Sequence, residues 1–274
     1  MKHGPIGIFD SGLGGLTVFH DIRERLPHYD YLYLGDTART PYGTRSFETI
    51  YQYTRQGVTA LLDAGCPLVI LACNTASAKA LRTIQQKDLV RDYPGRRVLG
   101  VIRPSVEAVG KISKTGRIGL FGTPGTVRSD SYVLELEKLY PQAVLHQEAC
   151  PMWVPLVENN EAGTPAAEYF VRRHAEALLA RDPGIDTIIL ACTHYPLLLP
   201  LIQRFVPPHI TLLDQGPLVA ERLDDYLQRH PEIASRCSRD GRARFLTTGS
   251  VELFDENTAI FFGKSLHGEH IELR

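Results

Sequence analysis

Leu68-Val69-Ile70-Leu71-Ala72-Cys73-Asn74-Thr75 and Thr187-Ile188-Ile189-Leu190-Ala191-Cys192-Thr193-His194 are two versions of one stretch. Each is a short apolar run that closes on Leu-Ala-Cys and then turns polar. Short runs of branched apolar residues bounded by polar ones read as buried strands of a parallel sheet. The residues after each cysteine can start a helix. A cysteine at the carboxyl end of a buried strand, twice, is the feature the rest of the chain must explain.

Outward from these stretches, apolar runs alternate with longer amphipathic segments, the pattern of βαβ units. Ile6 to Phe9 reads as a first strand and Asp10-Ser11-Gly12-Leu13-Gly14-Gly15 as a glycine-rich turn. Leu16 to Leu26 reads as a helix, with apolar residues at 16, 18, 19, 22 and 26. A strand at 31–34, a loop at 35–45 and a long helix capped by Ser46 lead to the first cysteine, after which a helix starts near Ala76. The pattern restarts near Val98. Helices are predicted over 104–112, 127–140 and 166–180, strands over 117–121 and 143–146, and a loop over 150–160. The end of the chain reads as a strand at 210–213, a helix over 217–229, a strand at 243–247 and a helix over 251–262.

The restart is a coarse repeat. Ile6-Gly7-Ile8-Phe9 matches Ile118-Gly119-Leu120-Phe121, and 64 residues separate Phe9 from Cys73 while 71 separate Phe121 from Cys192. The fold class is therefore α/β, with two pseudo-symmetric α/β domains built on mostly parallel sheets. In open parallel sheets functional residues lie beyond the carboxyl ends of the strands. Facing halves would bring Asp10, the 122–126 turn, Cys73 and Cys192 around one cleft.

Composition narrows the function. The chain has 274 residues, 43% of them apolar, with 30 basic against 31 acidic residues. That balance offers no electrostatic footprint for nucleic acid or an anionic membrane. No apolar run is long enough to cross a bilayer, and Met1 to Pro5 shows no signal-peptide pattern. The five cysteines form no Cys-x-x-Cys pair, so zinc-knuckle and thioredoxin-type motifs are excluded, and a reducing cytoplasmic setting is expected. No lysine stands out as a pyridoxal phosphate anchor and no His/Asp/Glu set has metal-ligand spacing, so no cofactor and no metal are expected.

Cysteine is often only a small buried hydrophobe, and Cys66 and Cys237 read that way. Cys73 and Cys192 differ, because each meets the start of a helix, where amides and the helix dipole favour a thiolate. Two thiols on opposite walls of a cleft suit inversion of a carbon stereocentre, one taking a proton and the other delivering one. Asp10 suits an ammonium group or a partner that orients a thiol. Ser11 supplies a hydroxyl and an amide for a carboxylate. Asn74-Thr75 and Thr193-His194 either cap helices or turn the same groups toward a ligand, and Tyr42-Gly43 can do so from the 35–45 loop. His194 gains weight as a base or charge partner from Cys192, whereas Glu158 by itself reads as a surface acid. Two other readings stay open: a Cys-His acyl hydrolase or amidase using Cys192 and His194, and a non-catalytic amino-acid-binding protein.

Taken together, Phe9-Asp10-Ser11-Gly12-x-Gly14-Gly15-Leu16, Pro41-Tyr42-Gly43, Ala72-Cys73-Asn74-Thr75 and Ala191-Cys192-Thr193-His194-Tyr195-Pro196-Leu197 closely resemble the cofactor-independent glutamate racemases. The resemblance extends to Thr247-Thr248-Gly249. Aspartate racemases share the paired cysteines, so a racemase of another acidic amino acid is the nearest alternative. The resemblance implies that Cys73 and Cys192 are the paired acid/bases, Cys73 acting on D-glutamate and Cys192 on L-glutamate. It implies that Asp10, Ser11, Tyr42, Gly43, Asn74, Thr75, Thr193 and His194 contact substrate. Asp10 and His194 would assist the thiols, and Glu158 would stand behind the histidine. It further implies a discontinuous first domain, 1–97 plus 208–274, around a second at 98–207. The implied role is supply of D-glutamate for peptidoglycan, and homodimers are common in the family.

Overall fold

The computed structural model describes residues 3–273. Met1 and Lys2, within the opening read as free of a signal peptide, and Arg274, the last residue of the first expected domain, lie outside the described residues.

Among the described residues, ten strands form two sheets. They are β1 (Ile6–Asp10), β2 (Tyr31–Gly35), β3 (Leu68–Leu71), β4 (Arg97–Gly100), β5 (Arg117–Gly122), β6 (Val144–Ala149), β7 (Thr187–Ala191), β8 (Thr211–Leu213), β9 (Ala243–Thr247) and β10 (Gly268–His270). The first sheet has the order β10-β9-β2-β1-β3-β4 and the second β6-β5-β7-β8. Every pairing between named strands is parallel. Helices cover the faces, which is why β1, β2, β3 and β7 are buried along their whole length.

The two sheets repeat one another. β2-β1-β3-β4 and β6-β5-β7-β8 are the same arrangement, with the first strand of each half at the centre. The register repeats as well: Phe9 pairs with Leu71 and Phe121 with Leu190. Each cysteine therefore lies two residues beyond the leucine paired to the matching phenylalanine. Pleat alternation makes such a register hard to slip by one residue, because every buried side chain would change face.

Several boundaries differ from the sequence reading. The strand read as opening the second half near Val98 is β4, which pairs with β3 and completes the first sheet. β8 lies beyond Pro207-Pro208 yet pairs with β7 in the second sheet. The sheets thus change over after Gly100 and after Leu213, not at 98 and 207, because each half needs its fourth strand at the edge. The 150–160 loop contains the helix Trp153–Glu158, which starts on a fully buried Trp153. The helix expected over 127–140 is broken into Pro124–Val127 and Ser131–Leu139, with Asp130 between them at φ 53°. A short side chain able to bond locally is one of the few that tolerates that left-handed backbone. β10, read from no sequence signal, extends the first sheet beside β9.

From Gln215 onward the chain returns to the first sheet. The helix Gln215–Arg229 packs along Gly15–Arg25, and Val251–Phe262 packs on the same helix. Phe19 of that helix stacks on Phe262 at 5.6 Å and meets Phe245 edge-on at 5.8 Å. Full burial of one such phenylalanine is worth roughly 1.5–3 kcal/mol, so this aromatic cluster holds the returning segment in place.

Candidate active site

The sequence element that lets the halves meet is the glycine-rich turn after β1. A Cβ on Gly14 would lie 2.4 Å from Thr193 Oγ1 and 2.5 Å from the His194 ring. Only glycine allows that backbone to approach the second cysteine motif so closely. Thr17 Oγ1 fixes the approach by donating to the Thr193 carbonyl at 3.0 Å. A second junction joins Gly43 to the turn after β5. The Gly125 amide donates to the Gly43 carbonyl at 2.7 Å, and a Cβ on Gly43 would sit 2.8 Å from Thr123 Cβ.

Cys73 caps the helix Asn74–Lys79, its sulfur accepting from the Ala76 amide at 3.4 Å. That helix starts directly after the cysteine, two residues earlier than its sequence implies. Cys73 is 6% and Cys192 7% exposed. Burial pushes the Cys73 thiol up to about 12, and the nearby Asp10 and Cys192 add to the rise, while the Ser11 side chain and Ala76 amide oppose it.

The surroundings of the two sulfurs differ. Cys192 Sγ lies 3.8 Å from His194 Nδ1, and His194 Nε2 lies 3.1 Å from Glu158 Oε1. Burial alone would disfavour an imidazolium there, but the bonds to Cys192 and Glu158 outweigh it and raise His194 to about 10. Glu158, unremarkable in sequence, is carried to the histidine by the helix Trp153–Glu158. Trp153 anchors that helix, its ring 4.9 Å from Phe121 and 4.8 Å from Tyr195. Thr40 Oγ1, from the other half, also reaches Glu158 Oε1 at 3.3 Å.

Asp10 is fully buried at the end of β1. Its Oδ2 accepts from the Gly12 amide at 2.9 Å, and its Oδ1 has no hydrogen-bond partner. Burial raises its pKa, against the opposing pull of His194 and the Gly12 and Gly15 amides. A buried carboxylate oxygen without a partner is costly, and an incoming ammonium group would satisfy it.

Of the other residues singled out in sequence, Ser11, Asn74, Thr75 and Thr193 are all buried around this junction. Thr75 Oγ1 bonds Thr123 Oγ1 at 2.9 Å, a further link between halves. The Tyr42 hydroxyl donates to the buried Asp36, which orients the ring within the 41–43 stretch. Thr248 Oγ1 also donates to Asp36, at 2.8 Å, which ties the Thr247-Thr248-Gly249 segment to the loop carrying Tyr42. Sequence reasoning passed over Gln215, Tyr132 and Ser105, which form a buried polar network with Asn74. Cys66 and Cys237 are buried with raised thiol pKa values, burial being the main cause in each.

A cavity of about 650 Å³ lies elsewhere, among Leu81, Ile102, Ser131, Val219 and Leu223, and contains neither cysteine. One group corrects the reading that no residues have metal-ligand spacing. His20, Asp21 and Glu24 bring ligand-type atoms within 4.8 Å of one another. It lies on one flank of the helix Gly15–Arg25, where Glu24 is exposed and His20 and Asp21 are half-buried.

The family model described as Asp/Glu/Hydantoin racemase matches residues 16–223. A glutamate racemase of Streptococcus gordonii is 40% identical over 273 residues, with all of both chains covered. A crystal structure of a glutamate racemase isoform of Bacillus anthracis superposes with a TM-score of 0.90 at 33% identity, covering 100% of this chain and 99% of that one. A glutamate racemase of Francisella tularensis, solved in complex with D-glutamate, gives a TM-score of 0.83 at 29% identity, covering 100% and 98%.

Proposed function

The chain belongs to the Asp/Glu/hydantoin racemase family, and we propose that it interconverts L- and D-glutamate by moving a proton between Cys73 and Cys192, using no cofactor. Membership makes it an amino-acid racemase, an isomerase. The observation that carries the two-cysteine reading is the matched register of β3 and β7, which sets one thiol at the same point of each half, together with the junction that turns those points toward each other.

The unlike surroundings of the two thiols support different starting roles. Burial keeps the proton on Cys73, with its pKa near 12. Cys192 sits against a histidine that holds its proton up to about 10, where an imidazolium compensates a thiolate. L-Glutamate binds with its ammonium at Asp10 Oδ1 and its α-carboxylate on hydroxyls and amides of Ser11, Asn74-Thr75 and Thr193-His194. The Cys192 thiolate takes the α-proton, and the electron pair left on Cα is spread into the carboxylate. Cys73 then delivers its own proton to the opposite face, giving D-glutamate, a Cys73 thiolate and a Cys192 thiol. D-Glutamate runs the same steps in reverse. Exclusion of water and fixed hydrogen bonds take the place of a cofactor in stabilising the carbanion. The product serves peptidoglycan synthesis.

Circular dichroism of L-glutamate with the purified enzyme and no added cofactor tests the reading. Loss of the signal toward zero is expected; a constant signal at high enzyme concentration rejects it. A substrate panel including aspartate decides which acidic amino acid is used.

The Cys192–His194–Glu158 chain also has the order of a Cys-His-acid hydrolase triad. That alternative leaves Cys73 unused and requires a covalent acyl-enzyme, which mass spectrometry of the enzyme incubated with glutamine or a glutamyl ester would reveal.

A further inference from the structure

Asn74, Gln215 and Tyr132 close a ring of hydrogen bonds that runs in one direction. Asn74 Nδ2 donates to Gln215 Oε1 at 2.6 Å, Gln215 Nε2 donates to Tyr132 OH at 2.7 Å, and Tyr132 OH donates to Asn74 Oδ1 at 2.6 Å. Gln215 Nε2 spends its second hydrogen on Ser105 Oγ at 2.5 Å, and Ser105 Oγ donates to the Val101 carbonyl at 2.8 Å. All four side chains are at most 3% exposed. An amide nitrogen carries two hydrogens, so nearly every donor in the network is accounted for. The exception is the second hydrogen on Asn74 Nδ2, one residue from Cys73.

The ring also spans the molecule. Asn74 follows β3 in the first half, Tyr132 and Ser105 lie on helices packed against the second sheet, and Gln215 follows β8 at the crossover back to the first half. Burial holds the Tyr132 hydroxyl protonated, so that it remains a donor.

We infer that Gln215 is a positioning residue for substrate binding: through the Asn74–Gln215–Tyr132 ring it fixes the orientation of the Asn74 amide so that its one uncommitted N–H meets the glutamate carboxylate. This rests on the glutamate racemase reading above. Gln215 does not touch the reacting atoms. Without it the Asn74 amide can rotate or turn over, and the carboxylate meets either no donor or a carbonyl oxygen. The loss falls on a contact present in both bound substrate and transition state, so it raises KM more than it lowers kcat.

Steady-state racemisation by Gln215→Leu and Tyr132→Phe tests the assignment, with thermal unfolding checked in parallel. For a folded Gln215→Leu the expected result is a rise in KM of about tenfold for both enantiomers, with kcat held within about threefold. Tyr132→Phe leaves the Asn74–Gln215 bond in place and should raise KM in the same direction by less. An unchanged KM in folded Gln215→Leu, or a fall in kcat at unchanged KM, overturns the proposal. If Gln215→Leu does not fold, Tyr132→Phe decides, and an unchanged KM there overturns it. Glutamate Kd by calorimetry on the same proteins separates the two readings. Wild type that binds glutamate without exchanging its α-proton in D₂O rejects the racemase, while the Kd ratio of variant to wild type still decides the role of Gln215.

Discussion

At Cys73 burial keeps a proton on sulfur, while at His194 two hydrogen bonds keep a proton on nitrogen despite burial. The two cysteines are alike in sequence but unlike in surroundings: Cys192 has His194 and Glu158 behind it and Cys73 has Asp10 and the Ala76 amide. Replacing either sulfur by a hydroxyl removes a group that can ionise in this range. Cys73→Ser and Cys192→Ser should each lower racemisation by at least about 10²- to 10⁴-fold with unfolding temperatures little changed, as polarimetry and thermal unfolding would show. An unimpaired variant would remove that residue from the mechanism. His194 also leaves a mark on stability. Its pKa is raised from 6.5 to about 10 on folding, so the folded state binds the proton more tightly than the unfolded chain. Its stabilising contribution is complete below pH 6.5 and is lost as pH rises through about 10. The stability difference between wild type and His194→Gln should therefore shrink as pH climbs from 6.5 to 10; a difference constant over that window contradicts the shifted histidine.

Two elements deliver the unlike surroundings. The helix Trp153–Glu158 brings an acid to His194, and its anchor is the Trp153 ring between Phe121 and Tyr195. Trp153→Ala should cost about 3–5 kcal/mol of stability and lower activity through a displaced Glu158, whereas Glu158→Gln should lower activity with little loss of stability. Denaturant melts and racemisation rates on the pair distinguish anchor from charge. The turn after β1 is the second element. Gly14→Ala forces a methyl group against Thr193 and His194 and should cost about 1–3 kcal/mol while reducing activity. The strands of these elements were legible because short branched apolar runs have few other uses. The 153–158 helix was not, since Pro155 and a single turn and a half of chain carry no periodicity to read. The partner of the Tyr42 hydroxyl was not legible either, because Asp36 belongs to no sequence motif that contains Tyr42.

For the whole molecule, the repeat of strand, turn and cysteine told most of the story. It predicted two α/β halves, and the structure has two parallel sheets in which β2-β1-β3-β4 and β6-β5-β7-β8 repeat one arrangement. What it could not convey was where each half ends. β4 and β8 are edge strands of three or four residues, and nothing local distinguishes a strand that closes one sheet from one that opens the next. The facing of the halves was likewise invisible, because it depends on contacts such as Gly14 with His194 between residues far apart in the chain. Gln215, at the crossover, was missed for the same reason: a glutamine at a helix start has no local signature, and its role appears only when Asn74 and Tyr132 stand beside it.

The central claim is that two different sulfurs serve the two faces of one carbon. Conversion of L-glutamate in D₂O, stopped early and analysed by enantiomer for deuterium at Cα, tests it most directly. The Cys192 thiol formed by abstraction carries the substrate's own hydrogen, whereas Cys73 carries deuterium from solvent. The D-glutamate formed should therefore be deuterated from the first turnover while the remaining L-glutamate stays protiated. Product that retains the substrate hydrogen, or deuterium entering both enantiomers equally from the outset, would contradict the two-cysteine mechanism.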